Sequence, residues 1–213
     1  MKETISFCAY ALLMLAAYSC PAAAEDMTVF GIPLGARLQI AECEKRIVGT
    51  TTVYSTATAV CFQRLGSQDA VQATKPIENE SILIKFPVTE APPVMSGGAA
   101  VGLVMDGNLE GVAFNTRGVD SQDQVLDVLT QKFGKPTSRV PKQVQNTLGA
   151  NFDVLDARWT LPQVEILFRS VTSRVDTGLL NIDTRKGSDY RQHRLQEPAK
   201  DGQREPLGPS EPH

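Results

Sequence analysis

The feature that most constrains this chain is its first two dozen residues. Lys2 precedes an apolar run from Ile5 to Tyr18, rich in Ala, Leu and Met. The run ends near Pro21, and Ala22-Ala23-Ala24 then leads into Glu25-Asp26. A charged start, an apolar middle and a small-residue end make up the layout of a secretory signal. The run is shorter than the roughly 20 apolar residues needed to cross a bilayer. Ala22 and Ala24 suit the two small pockets of a signal peptidase. The sequence therefore predicts residues 1–24 as a signal peptide, cleaved so that Glu25 becomes the new N-terminus, and a protein that matures in the periplasm or is secreted. An alternative is a lipid anchor through Cys20, which follows Ala17-Tyr18-Ser19. The bulky Tyr18 and the absence of Leu at position 17 make that a poor lipidation site.

Export decides how the cysteines are read. Of Cys8, Cys20, Cys43 and Cys61, the first two leave with the signal and a pair remains. In an oxidising compartment such a pair is expected to form a disulfide, Cys43–Cys61. The wide spacing is not a Cys-x-x-Cys redox motif, and no histidine lies close enough in sequence to complete a zinc site.

The two histidines, His193 and His213, lie in a C-terminal stretch of prolines, glycines and paired charges that is too polar to order itself. Disorder is expected over 187–213, leaving one domain over 25–186. Without a histidine in the packed body, Ser-His-Asp and Cys-His chemistry lacks its base. No nucleophile elbow, phosphate loop or dinucleotide fingerprint appears. The net charge of −3 gives no pull toward nucleic acid or anionic lipid. No cofactor or metal is expected. Two carboxylate pairs, Asp106 with Glu110 and Asp153 with Asp156, are the remaining candidates for acid–base chemistry.

Local patterns give the elements. Phe30-Gly31-Ile32-Pro33-Leu34-Gly35 reads as a strand or tight turn, followed by a short helix near Leu38–Glu44. The β-branched run Gly49–Ala59 favours extended structure, continuing past Cys61. Residues 67–79 read as a loop and Ser81–Phe86 as a half-buried strand. The Pro- and Gly-punctuated segment 87–98 reads as a loop, and as the best placed interaction edge, because long loops on a rigid sheet often carry function. Asp106-Gly107-Asn108 predicts a hairpin between Val101–Met105 and Leu109–Asn115. A helix over 121–133 is expected from Val125, Leu126, Leu129 and Phe133 on one face, with Ser121 and Gln124 as a capping box and Gly134 and Pro136 ending it. After a polar loop come a second hairpin, Leu155–Leu161 and Val164–Val171, and a last strand, Leu179–Thr184. Trp159 is expected to anchor the core. The expected fold class is α+β, an antiparallel sheet of about six strands with one or two helices on one face.

The stretch Gln124-Val-Leu-Asp-Val-Leu-Thr-Gln-Lys-Phe-Gly-Lys-Pro136, then Trp159 and two alternating strands, resembles an arrangement in small bacterial envelope proteins. There a short helix ending at Gly-x-Pro packs on an antiparallel sheet. The small lipoproteins of the outer-membrane assembly machinery and the β-lactamase-inhibitor-protein-like fold share it. The resemblance covers about 121–184 and carries no site residues. It implies an interaction module rather than an enzyme. The sequence therefore favours an exported, non-enzymatic binding protein for another envelope protein or a cell-wall component. A periplasmic hydrolase using a carboxylate pair is the alternative. Expressed in a bacterium with its own secretion machinery, the protein is expected to have an intact mass that starts at Glu25. A mass for the whole chain, or one with diacylglycerol on Cys20, would contradict that cleavage.

Overall fold

A computed structural model describes residues 27–49, 51–65 and 75–196. The signal-cleavage residues Ala22, Ala24 and Glu25, together with Cys20, lie outside the described residues, as do most of the loop expected at 67–79 and residues 197–213.

The architecture is mostly β. Eight antiparallel strands form one sheet in the order β5-β6-β7-β8-β12-β11-β10-β9. They are β5 (Cys61–Arg64), β6 (Glu80–Lys85), β7 (Ala99–Met105), β8 (Asn108–Thr116), β9 (Ser138–Gln145), β10 (Asn151–Thr160), β11 (Val164–Arg169) and β12 (Gly178–Thr184). Strands β5 to β8 form one meander and β9 to β12 another. The last strands of the two, β8 and β12, pair at the centre. Two short ribbons precede the sheet, β1 (Thr28–Val29) with β2 (Ile32–Pro33) and β3 (Lys45–Val48) with β4 (Thr51–Tyr54).

Strand alternation sorts the side chains. Ile82 and Ile84, Val112 and Phe114, Leu180 and Ile182, Ile166 and Phe168, and Ala157 and Trp159 all point to one face and are buried. Opposite residues in an antiparallel pair share a face, so this set runs unbroken across the sheet. It is covered by the helix α1 (Gln122–Phe133) through Val125 and Leu129, by Val29, Ile32 and Leu34 of the N-terminal ribbon and turn, and by Val94 and Met95 of the 87–98 loop. Gly102 keeps the core tight, since a Cβ there would lie 2.9 Å from Ile82 Cγ1. Trp159 is fully buried, as the sequence suggests, and its Nε1 donates to the Gly134 carbonyl at 2.8 Å. That bond fixes the C-terminal end of α1 onto β10.

The expected six-strand sheet with helices on one face is not what forms. The sequence predicts a polar loop where strand β9 runs. All but one of its residues are exposed, so it has no buried face to impose alternation. It is an edge strand held by its register with β10. The helices also lie on opposite faces. The second helix, α2 (Arg185–Gln196), begins directly after β12, and its Arg191 reaches Asp183, whose side chain points away from the core. Most of α2 falls in the stretch expected to be disordered from residue 187. It carries too little apolar surface to signal a core helix, and what holds it is charge.

Two smaller expectations also change. Residues 38–44 form no helix. They run extended beside β5, with Cys43 N donating to the Phe62 carbonyl and Phe62 N to the Ala41 carbonyl. The capping box is absent as well. A 3-10 turn at Gly118–Ser121 leads into α1, Ser121 donates to the Gly118 carbonyl, and Gln124 accepts from Arg117.

Candidate functional site

The Cys43–Cys61 pair lies at disulfide distance, with the sulfurs 2.09 Å apart and the Cα atoms 4.9 Å apart. Cys61 opens β5, and Cys43 immediately precedes the β3–β4 ribbon. The ribbon is thus tied at its root to the edge of the main sheet. Two further layers reinforce that root. Ser55 N donates to the Glu44 carbonyl, closing the ribbon. Glu42 Oε1 accepts from Lys45 Nζ at 2.6 Å and from the Tyr54 hydroxyl at 3.0 Å. The Tyr54 oxygen in turn accepts from Arg64 N at 3.2 Å, and Arg64 Nη1 donates to Glu80 Oε1 at 3.1 Å. Burial, with the Glu42 carboxylate beside it, pushes the Tyr54 phenol above its ordinary range, although the bond from the Arg64 amide pulls the other way. Tyr54 therefore stays a neutral hydroxyl that can donate and accept at once.

Beyond this root most of the ribbon is exposed, although Thr52 is buried. Ile47 and Val48 are each 56% exposed and Val53 is 38% exposed. The ribbon forms because Ile47, Val48 and the Thr-Val run after Gly49 are β-branched, and Gly49 supplies the positive φ its turn requires. At the ribbon's root, beside Tyr54, lies a groove of about 610 Å³. Tyr54 and Thr56 line one side, Phe86, Val88 and Gly98 the other, and Lys85 is the only charged residue on its walls. Val88, in the loop singled out from sequence, is 97% exposed. Val48 and Val53 stand exposed on one face of the ribbon and Ile47 on the other, because successive residues of a strand point to opposite faces. Single exposed apolar residues are ordinary, whereas grouped ones mark contact surfaces.

The carboxylates fall elsewhere. Asp153 and Asp156 sit three residues apart on β10, which places them on opposite faces of the sheet. Asp156 pairs with Lys142, and Asp153 accepts from Gln143 Nε2 at 3.3 Å. They cannot flank one bond of a substrate. Asp106 occupies the β7–β8 turn and Glu110 lies close by, but Lys186 Nζ sits 2.6 Å from Asp106 and 3.9 Å from Glu110. The lysine holds the Asp106 carboxyl below the usual carboxylate range, chiefly through its hydrogen bond. Glu110 also accepts from the Thr184 hydroxyl. Both acids of that pair are therefore engaged in docking α2. Among the described residues no group of three or more His, Cys, Asp or Glu side chains is arranged to hold a metal ion, and His193 is exposed on α2.

Sequence reasoning found the cysteine pair and the 87–98 loop but missed the β3–β4 ribbon. The signal was present in Lys45-Arg46-Ile47-Val48-Gly49, a β-branched run ending in a turn residue. The extended run expected from the sequence begins only at Gly49, so Lys45–Val48 is given no element. No protein-family model matches the chain, and neither a curated protein nor a solved structure gives a match.

The staple generates a direct prediction. A bridge across 18 residues contributes about 3 kcal/mol in the chain-entropy model. Cys43→Ser with Cys61→Ser is expected to lower unfolding free energy by roughly that amount, read by urea denaturation. An unchanged midpoint would show that the two sulfurs are not joined in the native protein.

Proposed function

We propose that this is an exported, non-enzymatic binding protein that contacts another envelope protein or a cell-wall component through the β3–β4 ribbon and the groove beside it. The observation that carries the reading is the exposure of Val48 and Val53 on one face of a ribbon anchored by a cysteine pair, with exposed Ile47 on its other face and Val88 lining the groove at its root. An apolar tip on a rigid base suits recognition because little conformational entropy is lost when it docks. The apolar leader and the paired cysteines support maturation in the periplasm or outside the cell. No helix among the described residues is long and apolar enough to cross a membrane.

The test is quantitative capture of components from solubilised envelope by the mature protein and by two variants. Ile47→Ser with Val48→Ser is expected to weaken retention of the captured component at least about tenfold, as truncation of buried interface anchors does. Val140→Ser, an exposed apolar position on β9, is expected to leave retention unchanged. Equal capture by the ribbon variant and the unmodified protein would overturn the assignment of this surface.

A further inference from the structure

The face of the sheet away from the core carries a row that the binding surface does not use. Leu103, Gly111, Asp183 and Glu165 stand directly opposite one another on β7, β8, β12 and β11, and Glu110 adjoins them. The side chains of Asp183 and Glu110 are each 7% exposed and that of Glu165 is 21% exposed. Gly111 makes room for the central acid, since a Cβ there would fall 1.9 Å from Asp183 Oδ1. Three carboxylates on one face of neighbouring strands repel one another and require a cover that brings positive charge.

Helix α2 is that cover, and its grip differs in kind from that of α1. The residues of α2 that are buried are Gly187 and Ser188. Tyr190 is 38% exposed and Leu195 78% exposed. Contact is made by polar groups. Arg191 Nε donates to Asp183 Oδ1 at 2.9 Å, Ser188 Oγ donates to Glu165 Oε2 at 2.8 Å, and Lys186 pairs with Asp106. Arg185 Nε donates to the Pro162 carbonyl at 2.8 Å. The fit is close at one point, because a Cβ on Gly187 would fall 2.3 Å from the Glu110 carbonyl oxygen. It is imperfect at another, where Arg191 Nη2 is buried without a hydrogen-bond partner. A helix without a buried apolar stripe has little tertiary packing to hold it, and an isolated 12-residue helix is marginal in water.

We propose that α2 is an ionic strap. It leaves the sheet as a unit under native conditions, uncovers the row of Glu110, Asp183 and Glu165 beside Leu103, and returns, while the eight-stranded sheet and its core stay folded. Closed, α2 brings Arg191 and Lys186 to that row, while Arg158 of β10 lies 3.8 Å from Glu165 on the sheet itself. Open, the protein presents on its second face an acidic strip with an apolar neighbour, on the sheet side opposite the core. Local opening of this kind draws on the low-stability end of a fold, where burial is least.

Hydrogen exchange read by mass spectrometry on the full mature chain tests the strap. Peptides from 186–196 are expected to exchange at least about tenfold faster than peptides from β8 and β12. Arg191→Ala is expected to speed α2 exchange on the order of tenfold, as loss of a charged hydrogen bond does, with the rates of β8 and β12 held within about twofold. Gly187→Ala separates a strap from simple fraying. Alanine favours the helix itself, so fraying predicts slower exchange, whereas a strap lifted off Glu110 exchanges faster. The proposal is overturned if α2 is as protected as β12, if either variant accelerates helix and sheet together, or if neither accelerates α2.

Discussion

The rest of the structure depends on the pairing of β8 with β12. Each strand ends a four-stranded meander, and six residue pairs from Gly178–Thr116 to Asp183–Gly111 join the meanders into one sheet. The seam sets both faces at once. On one side Val112 meets Ile182 and Phe114 meets Leu180, and all four are buried. On the other side Gly111 meets Asp183. A shift of one residue would exchange these sets, putting isoleucine and phenylalanine in water and a carboxylate into the core. Burial of one face therefore specifies the register. A bulge near Leu103 and Val104, where β7 meets β8, lets Leu109 and Val112 share the core face although they are three residues apart.

What each face packs against follows from its chemistry. The core face is apolar from β5 across to β10 and takes an amphipathic helix, the β1–β2 ribbon and a proline-rich loop. The opposite face carries acids at its centre and takes a helix of arginine and lysine. The two outer edges are also treated differently. Strand β5 is covered by residues 41–43 through backbone bonds, and the cysteine pair holds that cover in place. Among the described residues strand β9 has no such cover. It carries Arg139, Pro141 and Lys142, and charge and proline on an edge discourage pairing with another chain. The β3–β4 ribbon lies next to the covered edge, tied to it by the cysteine pair.

Much of this was legible in the sequence. The turn Asp106-Gly107-Asn108, the alternation in Val164–Phe168 and the 3.6-residue period of Val125 and Leu129 each placed an element, because burial on one side leaves a period behind. Trp159 is read as a core anchor for a different reason, because tryptophan is large and usually mostly buried. The elements that were missed bury little. Strand β9 is exposed on both faces, α2 is docked by ion pairs, and the 38–44 segment is fixed by backbone bonds to β5. None of these leaves an apolar period. The helix expected near 38–44 rested on local composition and lost to the edge of a neighbouring strand. In the candidate surface, the cysteine count and an expected oxidising compartment pointed to Cys43 with Cys61, which lie at disulfide distance. The exposure of Ile47 and Val48 could not be read, since apolar β-branched residues look the same in a sequence whether they face a core or water.

The account's central claim is that the β8–β12 seam makes the two meanders one cooperative body. Its most direct measurement is urea unfolding of the mature protein followed by two probes. One is the emission of Trp159, which lies in the second meander. The other is pulsed hydrogen exchange at Ile82 and Ile84 in the first. The account predicts coincident transitions in the unmodified protein. It also predicts that Ile182→Ala, which opens a cavity in the seam at a residue with no exposure, moves both together by about 2–5 kcal/mol. Two separated transitions, or loss of the Trp159 signal while the amides of Ile82 and Ile84 stay protected, would contradict it.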